Sequence, residues 1–108
     1  MHQDALKCIE LCYKCAAMCD FCAASCLKEE NPGLMTDCIR LAVQCAGICR
    51  LSAQFMSLDS DYFKQTCRIC VDICKACAEE CAKHQSDHCQ RCAKICRNCA
   101  NACLRMVA

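Results

Sequence analysis

The segment Cys8–Cys26, CIELCYKCAAMCDFCAASC, places six cysteines at alternating steps of four and three residues. This spacing keeps the six side chains on one face of an α-helix, because residues three and four apart are neighbours on a helix surface. They occupy the seam positions that leucine and isoleucine usually fill where helices pack together. The segment therefore predicts a helix over about residues 3–28 whose core-facing side is made of thiols.

Two later segments repeat this spacing and predict two more helices of the same kind. They read CRICVDICKACAEEC over Cys67–Cys81 and CQRCAKICRNCANAC over Cys89–Cys103. We expect these helices over about residues 61–84 and 86–105. A further helix, expected over about residues 34–56, continues the seam with only three cysteines.

Turn-forming residues separate the four predicted helices. Residues 30–33, ENPG, contain the only proline of the chain. Residues 57–60 form the second break, with Asp59 or Ser60 as the expected N-cap of the third helix, and Ser86 is the expected N-cap of the fourth. Short connections make neighbouring helices antiparallel. The sequence thus predicts an all-α fold, an antiparallel up-down-up-down four-helix bundle with a cysteine-lined core.

Composition and charge narrow the classes of function. The formal net charge is +1 at pH 7, so we expect no basic surface for nucleic acid or anionic lipid. The apolar runs are shorter than a membrane-spanning helix requires. The opening residues, MHQDALKCIE, lack the basic and apolar regions of a secretory signal. We therefore expect a cytoplasmic protein of one domain, residues 1–108, without nucleic-acid or membrane partners.

The number of cysteines, nineteen, argues against a disulfide scaffold because it is odd and because cytoplasmic thiols stay reduced. An all-thiolate core favours Cu(I), zinc or iron–sulfur clusters. Charge favours Cu(I): if each thiolate bridges two ions, about one proton leaves per ion and the core stays near neutral. Four-thiolate zinc sites would each bury about two negative charges, unless zinc ions share sulfurs. They would also require sulfurs from several helices to converge.

Two other interpretations of the thiols stay open. The chain could buffer zinc or other soft metals, or it could be a multi-thiol redox buffer that forms disulfides reversibly. An enzyme is not expected, because no cysteine is set apart by a histidine or cationic neighbour as a nucleophile.

Histidines and methionines lie near the ends of the predicted thiol seams. His84 and His88 lie at one end, where they would form an entrance for metal ions or would be ordinary loop residues. Met56 and Met106 lie at the other end, where they would be weak thioether ligands for Cu(I) or, with apolar neighbours, a plug. His2 is expected to be disordered.

The second predicted helix also carries an apolar stripe with seven-residue spacing, formed by Leu34, Leu41, Ile48 and Phe55. Such a stripe would pack inside the bundle or contact another subunit. It is consistent with a homo-oligomer and does not define the number of subunits.

The three complete cysteine seams resemble those of the cytosolic copper storage proteins of bacteria, over essentially the whole chain. The resemblance implies a homotetramer of four-helix bundles whose cores store many Cu(I) ions. Ala42 and Ser52 interrupt the seam of the second helix, so we expect uneven filling there. The resemblance assigns a ligand role to Cys8, Cys12, Cys15, Cys19, Cys22, Cys26, Cys38, Cys45, Cys49, Cys67, Cys70, Cys74, Cys77, Cys81, Cys89, Cys92, Cys96, Cys99 and Cys103.

On this interpretation the chain stores or buffers Cu(I) without catalysis. Its capacity would be roughly one ion per cysteine. The copper would come from a copper chaperone or a small-molecule carrier.

Overall fold

The four cysteine-rich segments form four α-helices in the computed structural model, which describes residues 3–108. His2 lies outside the described residues. None of the described helices is both long and apolar enough to cross a lipid bilayer. The helices are α1 (Gln3–Leu27), α2 (Thr36–Ser57), α3 (Phe63–Ala82) and α4 (Asp87–Val107).

The helices lie at the corners of a square, as an antiparallel up-down-up-down bundle requires. α1 and α3 each pack against both α2 and α4. Across the diagonals, no Cα atoms of the described residues come within 8 Å of each other. The bundle measures 45 × 18 × 17 Å. The predicted fold class is therefore confirmed, and the long axis of the bundle is the axis of the thiol seams.

The core of the bundle consists mainly of cysteine and alanine. Ala16, Ala46, Ala78 and Ala93 are buried next to the thiols, one on each helix. Free cysteine packs as a small hydrophobic residue. Since both side chains are short, the helices approach closely enough for sulfur atoms on different helices to touch.

The break after α1 contains a turn that the sequence analysis did not predict. Pro32–Met35 forms a short 3-10 helix, and the Thr36 hydroxyl donates a hydrogen bond to the Gly33 carbonyl oxygen at 2.9 Å. Such 3-10 turns are common at the N-termini of α-helices. For this reason α2 begins at Thr36 rather than at Leu34.

Asp59 lies in the turn that terminates α2, so the prediction that it is the N-cap of α3 was wrong. Its φ of 52° lies in the left-handed region, which aspartate tolerates better than most residues. Its backbone N–H donates to the Met56 carbonyl, and the Ser60 N–H donates to the Phe55 carbonyl. These two bonds are the Schellman pattern that terminates a helix.

Ser60 also fails to cap α3, which begins later than expected. Its hydroxyl oxygen accepts the Tyr62 N–H at 3.1 Å, and the N-cap position is held by Tyr62 without a side-chain bond. Asp59 and Ser60 belong to the turn that terminates α2 and are therefore not available to start α3. For this reason α3 begins at Phe63.

Ser86 occupies the N-cap position of α4, as expected, but its hydroxyl does not cap the helix. It donates instead to Glu29 Oε1 at 2.8 Å. Glu29 lies in the break between α1 and α2, 57 residues away in the sequence. Ser86 therefore links the two chain breaks at one end of the bundle.

The apolar stripe on the second predicted helix divides between core and surface. Leu41 and Ile48 pack against the core, and Phe55 is half-buried. Leu34 precedes α2 and is 76% exposed. Two of the four residues of this stripe, Leu41 and Ile48, therefore serve packing within the bundle.

Candidate metal centre

All nineteen cysteines are buried and carry free thiols. Cys8 is 2% exposed and the other cysteines are 0% exposed. Their Sγ atoms approach one another across helix boundaries, for example at 3.3 Å between Cys38 and Cys81 and at 3.4 Å between Cys45 and Cys74. The thiols of four helices thus form one column of sulfur atoms along the bundle axis.

The sulfur atoms gather into groups of four. In at least five groups the Sγ atoms all lie within 4.8 Å of one another, and every group draws on three or four helices. Four-sulfur sites require sulfurs from several helices to converge, and the structure shows that they do converge. The groups are Cys12, Cys70, Cys99 and Cys103; Cys15, Cys49, Cys74 and Cys99; Cys15, Cys19, Cys45 and Cys96; Cys19, Cys77, Cys92 and Cys96; and Cys22, Cys26, Cys38 and Cys89.

The first four of these groups share thiols in succession along the column. Cys99 belongs to the first and second groups, Cys15 to the second and third, and both Cys19 and Cys96 to the third and fourth. Metal ions in neighbouring groups would therefore share thiolate ligands. Such sharing lowers the negative charge per ion that the core has to bury.

The spacing of the sulfurs also suits ions of low coordination number. At a metal–sulfur bond of about 2.3 Å, a three-coordinate ion holds its sulfurs about 4.0 Å apart and a linear ion about 4.6 Å. Contacts in the column include 3.6 Å between Cys12 and Cys103 and 4.0 Å between Cys22 and Cys26. Side-chain adjustments of a few tenths of an ångström would convert them to three-coordinate sites.

Burial favours the protonated form of two thiols at one end of the column, Cys26 and Cys89. It raises the pKa of Cys26 to about 11, and it is the main cause of a raised pKa at Cys89. Burial in a medium of low dielectric disfavours the charged thiolate. A metal ion that binds these thiols must therefore displace their protons, and the positive charge of the ion replaces that of the protons.

No lysine or arginine is buried among the described residues. The buried polar side chains of residues 3–108 are Ser52 and Thr66. The described part of the chain thus supplies no lysine or arginine to the core to balance surplus thiolates. This electrostatic setting favours ions whose charge equals the number of protons they displace, which is the case for monovalent ions on bridging thiolates.

The seam of α2 is interrupted at Ala42 and Ser52, both of which are 0% exposed. The Ser52 hydroxyl has no hydrogen-bond partner among the described residues. A hydroxyl oxygen is a harder donor than a thiolate and does not match a soft-metal ligand set. α2 therefore brings three thiols to the column, at Cys38, Cys45 and Cys49.

We call the end of the bundle that contains Cys26, Cys38, Cys81 and Cys89 the histidine end. Here the ring of His88 reaches the thiols: its Nδ1 lies 3.5 Å from the Sγ atoms of Cys22 and Cys89 and 3.9 Å from that of Cys26. From the sequence, His84 and His88 were both candidates for an ion entrance. The structure places only His88 in the cysteine cluster.

His84, two residues beyond the end of α3, is hydrogen-bonded to a carboxylate on that helix. Its Nε2 lies 2.8 Å from Glu80 Oε2, and this hydrogen bond is the first cause of a lowered pKa at Glu80. The four-residue spacing of Glu80 and His84 is a helical contact that the sequence could have indicated.

Glu29 is the residue of this region that the sequence analysis missed. Its Oε1 accepts hydrogen bonds from the Ser86 hydroxyl and from His88 Nε2, both at 2.8 Å. These bonds, that of His88 first, lower the pKa of Glu29. The contact joins residues 59 positions apart, so no local pattern in the sequence could have revealed it.

The opposite end, near Cys8 and Cys103, is the methionine end. Met56 is buried, whereas Met106 is only half-buried. Two nearby apolar residues that could complete a plug, Leu58 and Tyr62, are 68% and 65% exposed. The apolar plug is therefore smaller than expected, and a thioether role of Met56 and Met106 stays a prediction.

A family with this architecture is known. The model of the copper storage protein family matches residues 1–108. The chain belongs to the copper storage protein family. The resemblance inferred from the cysteine seams is thereby confirmed.

The following relatives of this copper storage protein each cover 82% or more of its length. The uncharacterized cysteine-rich protein YhjQ of Bacillus subtilis is 45% identical over 88 residues, which are 82% of each chain. The Cu(I)-bound copper storage protein BsCsp3 has a TM-score of 0.93 at 45% identity, over 98% of this chain and 100% of the other. A cytosolic copper storage protein of Streptomyces lividans, loaded with five coppers, has a TM-score of 0.93 at 35% identity, over 97% and 92% of the two chains.

Proposed function

We propose that the chain stores Cu(I) in the cytoplasm and holds many ions on the thiolates of its nineteen cysteines. The observation that carries this proposal is the column of buried free thiols, in which four of the five four-thiol groups share sulfurs with a neighbouring group. Metal analysis of protein produced in copper-supplemented cells, with assignment of the oxidation state, tests it. Predominantly Cu(I) is expected, and a sample that retains only divalent ions would reject storage of Cu(I).

The choice of Cu(I) over zinc rests on charge, because the four-thiol groups could accommodate either ion. An isolated zinc ion on four thiolates has a net charge of −2, and residues 3–108 place no lysine or arginine in the core to offset it. A Cu(I) ion replaces one proton and leaves the charge of the core unchanged. Burial of uncompensated charge costs several kcal/mol per ion.

The absence of a catalytic role is part of the same proposal. Cys22 and Cys89 have a histidine neighbour, His88. All nineteen cysteines are nevertheless buried, and none combines exposure with a cationic partner as a reactive thiol does. Copper would be delivered by a chaperone or a small-molecule carrier and would pass to the column by ligand exchange, without a change of oxidation state.

Replacement of both His84 and His88 with alanine is expected to slow copper uptake several-fold and to leave capacity nearly unchanged. The reason is that the cysteines supply the storage ligands, whereas His88 offers a nitrogen ligand at the end of the column. Stopped-flow uptake from a chromophoric Cu(I) chelate measures the rate, and a titration measures capacity.

The single variants separate the two histidines. His88→Ala should account for most of the effect, because its ring contacts the thiols while that of His84 contacts Glu80. Gln85→Ala, an exposed position in the same connection, is the control. Copper uptake at the wild-type rate in the double variant would contradict the proposal that copper enters at the histidine end.

The proposed assembly is a homotetramer that covers exposed apolar side chains on α1 and α2. Tyr13 and Leu51 line one shallow groove between these helices. Phe21 and Val43, 52% and 56% exposed, lie on the same helices toward the histidine end. Exposed aromatic and aliphatic side chains that cluster on one face are typical of subunit contacts.

Sedimentation equilibrium is expected to give about four times the 12.0-kDa mass of the chain. Phe21→Glu should lower this mass without a loss of helicity, because a carboxylate would be buried in the contact. Tyr62→Glu, at an exposed aromatic residue on the methionine end, should leave the mass unchanged. A monomeric wild-type protein would contradict the proposed assembly.

A further inference from the structure

The carboxylate of Glu29 forms a bridge at the histidine end between the α1–α2 break and the start of α4. One of its oxygens, Oε1, lies 2.8 Å from the Ser86 hydroxyl and 2.8 Å from His88 Nε2. Ser86 and His88 flank the first residue of α4. The two bonds therefore fix both the chain break and the plane of the imidazole ring.

The hydrogen-bonding capacity of these groups determines the tautomer of His88. An ionised carboxylate can only accept hydrogen bonds, and the bonds from His88 and Ser86 lower the pKa of Glu29. His88 Nε2 must then carry the hydrogen. In a neutral imidazole with Nε2–H, the lone pair is on Nδ1.

The free nitrogen faces the cluster of thiols. Nδ1 is 3.5 Å from the sulfur atoms of Cys22 and Cys89 and 3.9 Å from that of Cys26. The other tautomer would place a hydrogen between the ring and these sulfurs and would leave no nitrogen lone pair for a metal ion. A carboxylate that holds the remote nitrogen of a histidine is a common way to orient a metal-binding imidazole.

We propose that Glu29 is a positioning residue for copper uptake, and that its carboxylate holds His88 as the Nε2–H tautomer with Nδ1 directed at the thiols. The inference rests on the proposed function, since it concerns how Cu(I) reaches the storage column. In the transfer step the bond between Cu(I) and Nδ1 breaks as a bond to Cys22 or Cys89 Sγ forms. Copper remains Cu(I), and the thiol proton leaves to water.

Glu80 provides an internal comparison. It binds His84 in the same way, with a carboxylate oxygen 2.8 Å from Nε2. Glu80 lies in α3 and His84 lies just beyond the end of that helix. The His84 ring is hydrogen-bonded to Glu80 and not to the thiols. Glu29, in contrast, reaches across from the α1–α2 break to His88, the histidine whose ring lies next to the thiols.

Three variants test the proposal: Glu29→Ala, Glu29→Gln and, as a matched control, Glu30→Gln. Glutamine keeps an oxygen that can accept the Nε2–H bond, whereas alanine removes it. Glu30 is the exposed neighbouring carboxylate, so its substitution removes the same charge. Circular dichroism establishes that all variants are folded.

The first measurement is a proton–nitrogen spectrum of the imidazole side chains in metal-free protein labelled at histidine. The wild type and Glu29→Gln should show His88 with Nε2 protonated and Nδ1 unprotonated, whereas Glu29→Ala should show a mixture of tautomers. The second measurement is stopped-flow uptake from the Cu(I)–bathocuproine disulfonate complex. Glu29→Ala should take up copper several-fold more slowly, Glu29→Gln at close to the wild-type rate, and Glu30→Gln at the wild-type rate, all to the same final capacity.

Three outcomes would overturn the inference: an Nδ1–H tautomer in the wild type, wild-type uptake by Glu29→Ala, or slow uptake by Glu29→Ala with an unchanged tautomer. A wild-type protein that binds no Cu(I) would instead reject the storage proposal. The spectrum of the metal-free protein would still report whether Glu29 sets the tautomer. Failure of one proposal can thus be distinguished from failure of the other.

Discussion

At saturation the chain is expected to hold about one Cu(I) per cysteine, or about nineteen ions. Each ion displaces one proton from the buried column, and shared thiolates let neighbouring ions use the same sulfur. A zinc store of separate four-thiolate sites would saturate at about four or five ions. Anaerobic titration against a chromophoric Cu(I) chelator, after thiol counting, measures the capacity.

Two buried positions on α2 sharpen this test. Cys45 contacts the thiols of Cys15, Cys74 and Cys96 at 4.0, 3.4 and 3.8 Å, so Cys45→Ala should lower capacity by about one ion. Ser52→Ala, equally buried in the same seam, should leave it unchanged. Saturation of the wild type at four or five ions would favour a zinc buffer, and a lower capacity in Ser52→Ala would contradict a store made only of thiolates.

The metal-free protein is expected to be a folded helical bundle that copper then stabilises strongly. Protonated thiols pack as apolar groups, so the core does not need metal to form. An ion that binds only the folded state at 100 times its dissociation constant adds about 2.7 kcal/mol. For a domain of this size, each kcal/mol raises the unfolding midpoint by about 4–8 °C. Loading of many sites should therefore raise the midpoint by tens of degrees.

Circular dichroism of chelated, reduced protein and thermal scans before and after loading measure both effects. Removal of copper by a strong Cu(I) chelator should restore the lower midpoint, which controls for irreversible change. A random-coil spectrum without metal would reject the packed-thiol core. A redox buffer would behave differently, because mild oxidation without metal would form reversible disulfides visible as losses of mass.

The sequence predicted the helices and their inward faces well because both follow from a short-range period. A cysteine step of four and three residues defines one helix face, and Ala42 and Ser52 were recognised as gaps because they fall on that face. The start of α3 was not predicted. Asp59 and Ser60 each have side chains suited to an N-cap, but the turn that ends α2 uses both of them.

The arrangement at the histidine end was predicted only in part. The position of His88 beyond the seams indicated an ion entrance, but its contact with Cys22 depends on how α1 and α4 pack. Glu29 meets Ser86 and His88 through the same packing, across more than fifty residues. Convergence of four sulfurs from separate helices likewise depends on the narrow cross-section that cysteine and alanine allow together.

The overlap between successive four-thiol groups has a consequence for movement inside the bundle. Because Cys99, Cys15, Cys19 and Cys96 each belong to two groups, an ion can advance by exchanging some of its sulfurs while it keeps another. It need never become a free cation in a medium of low dielectric, where the barrier would be largest. Transport through the four overlapping groups would thus be a series of short hops, without any opening of the helices. The group at the histidine end shares no thiol with them, but the Cys81 sulfur, 3.3 Å from Cys38 and 3.9 Å from Cys77, lies between that group and the column.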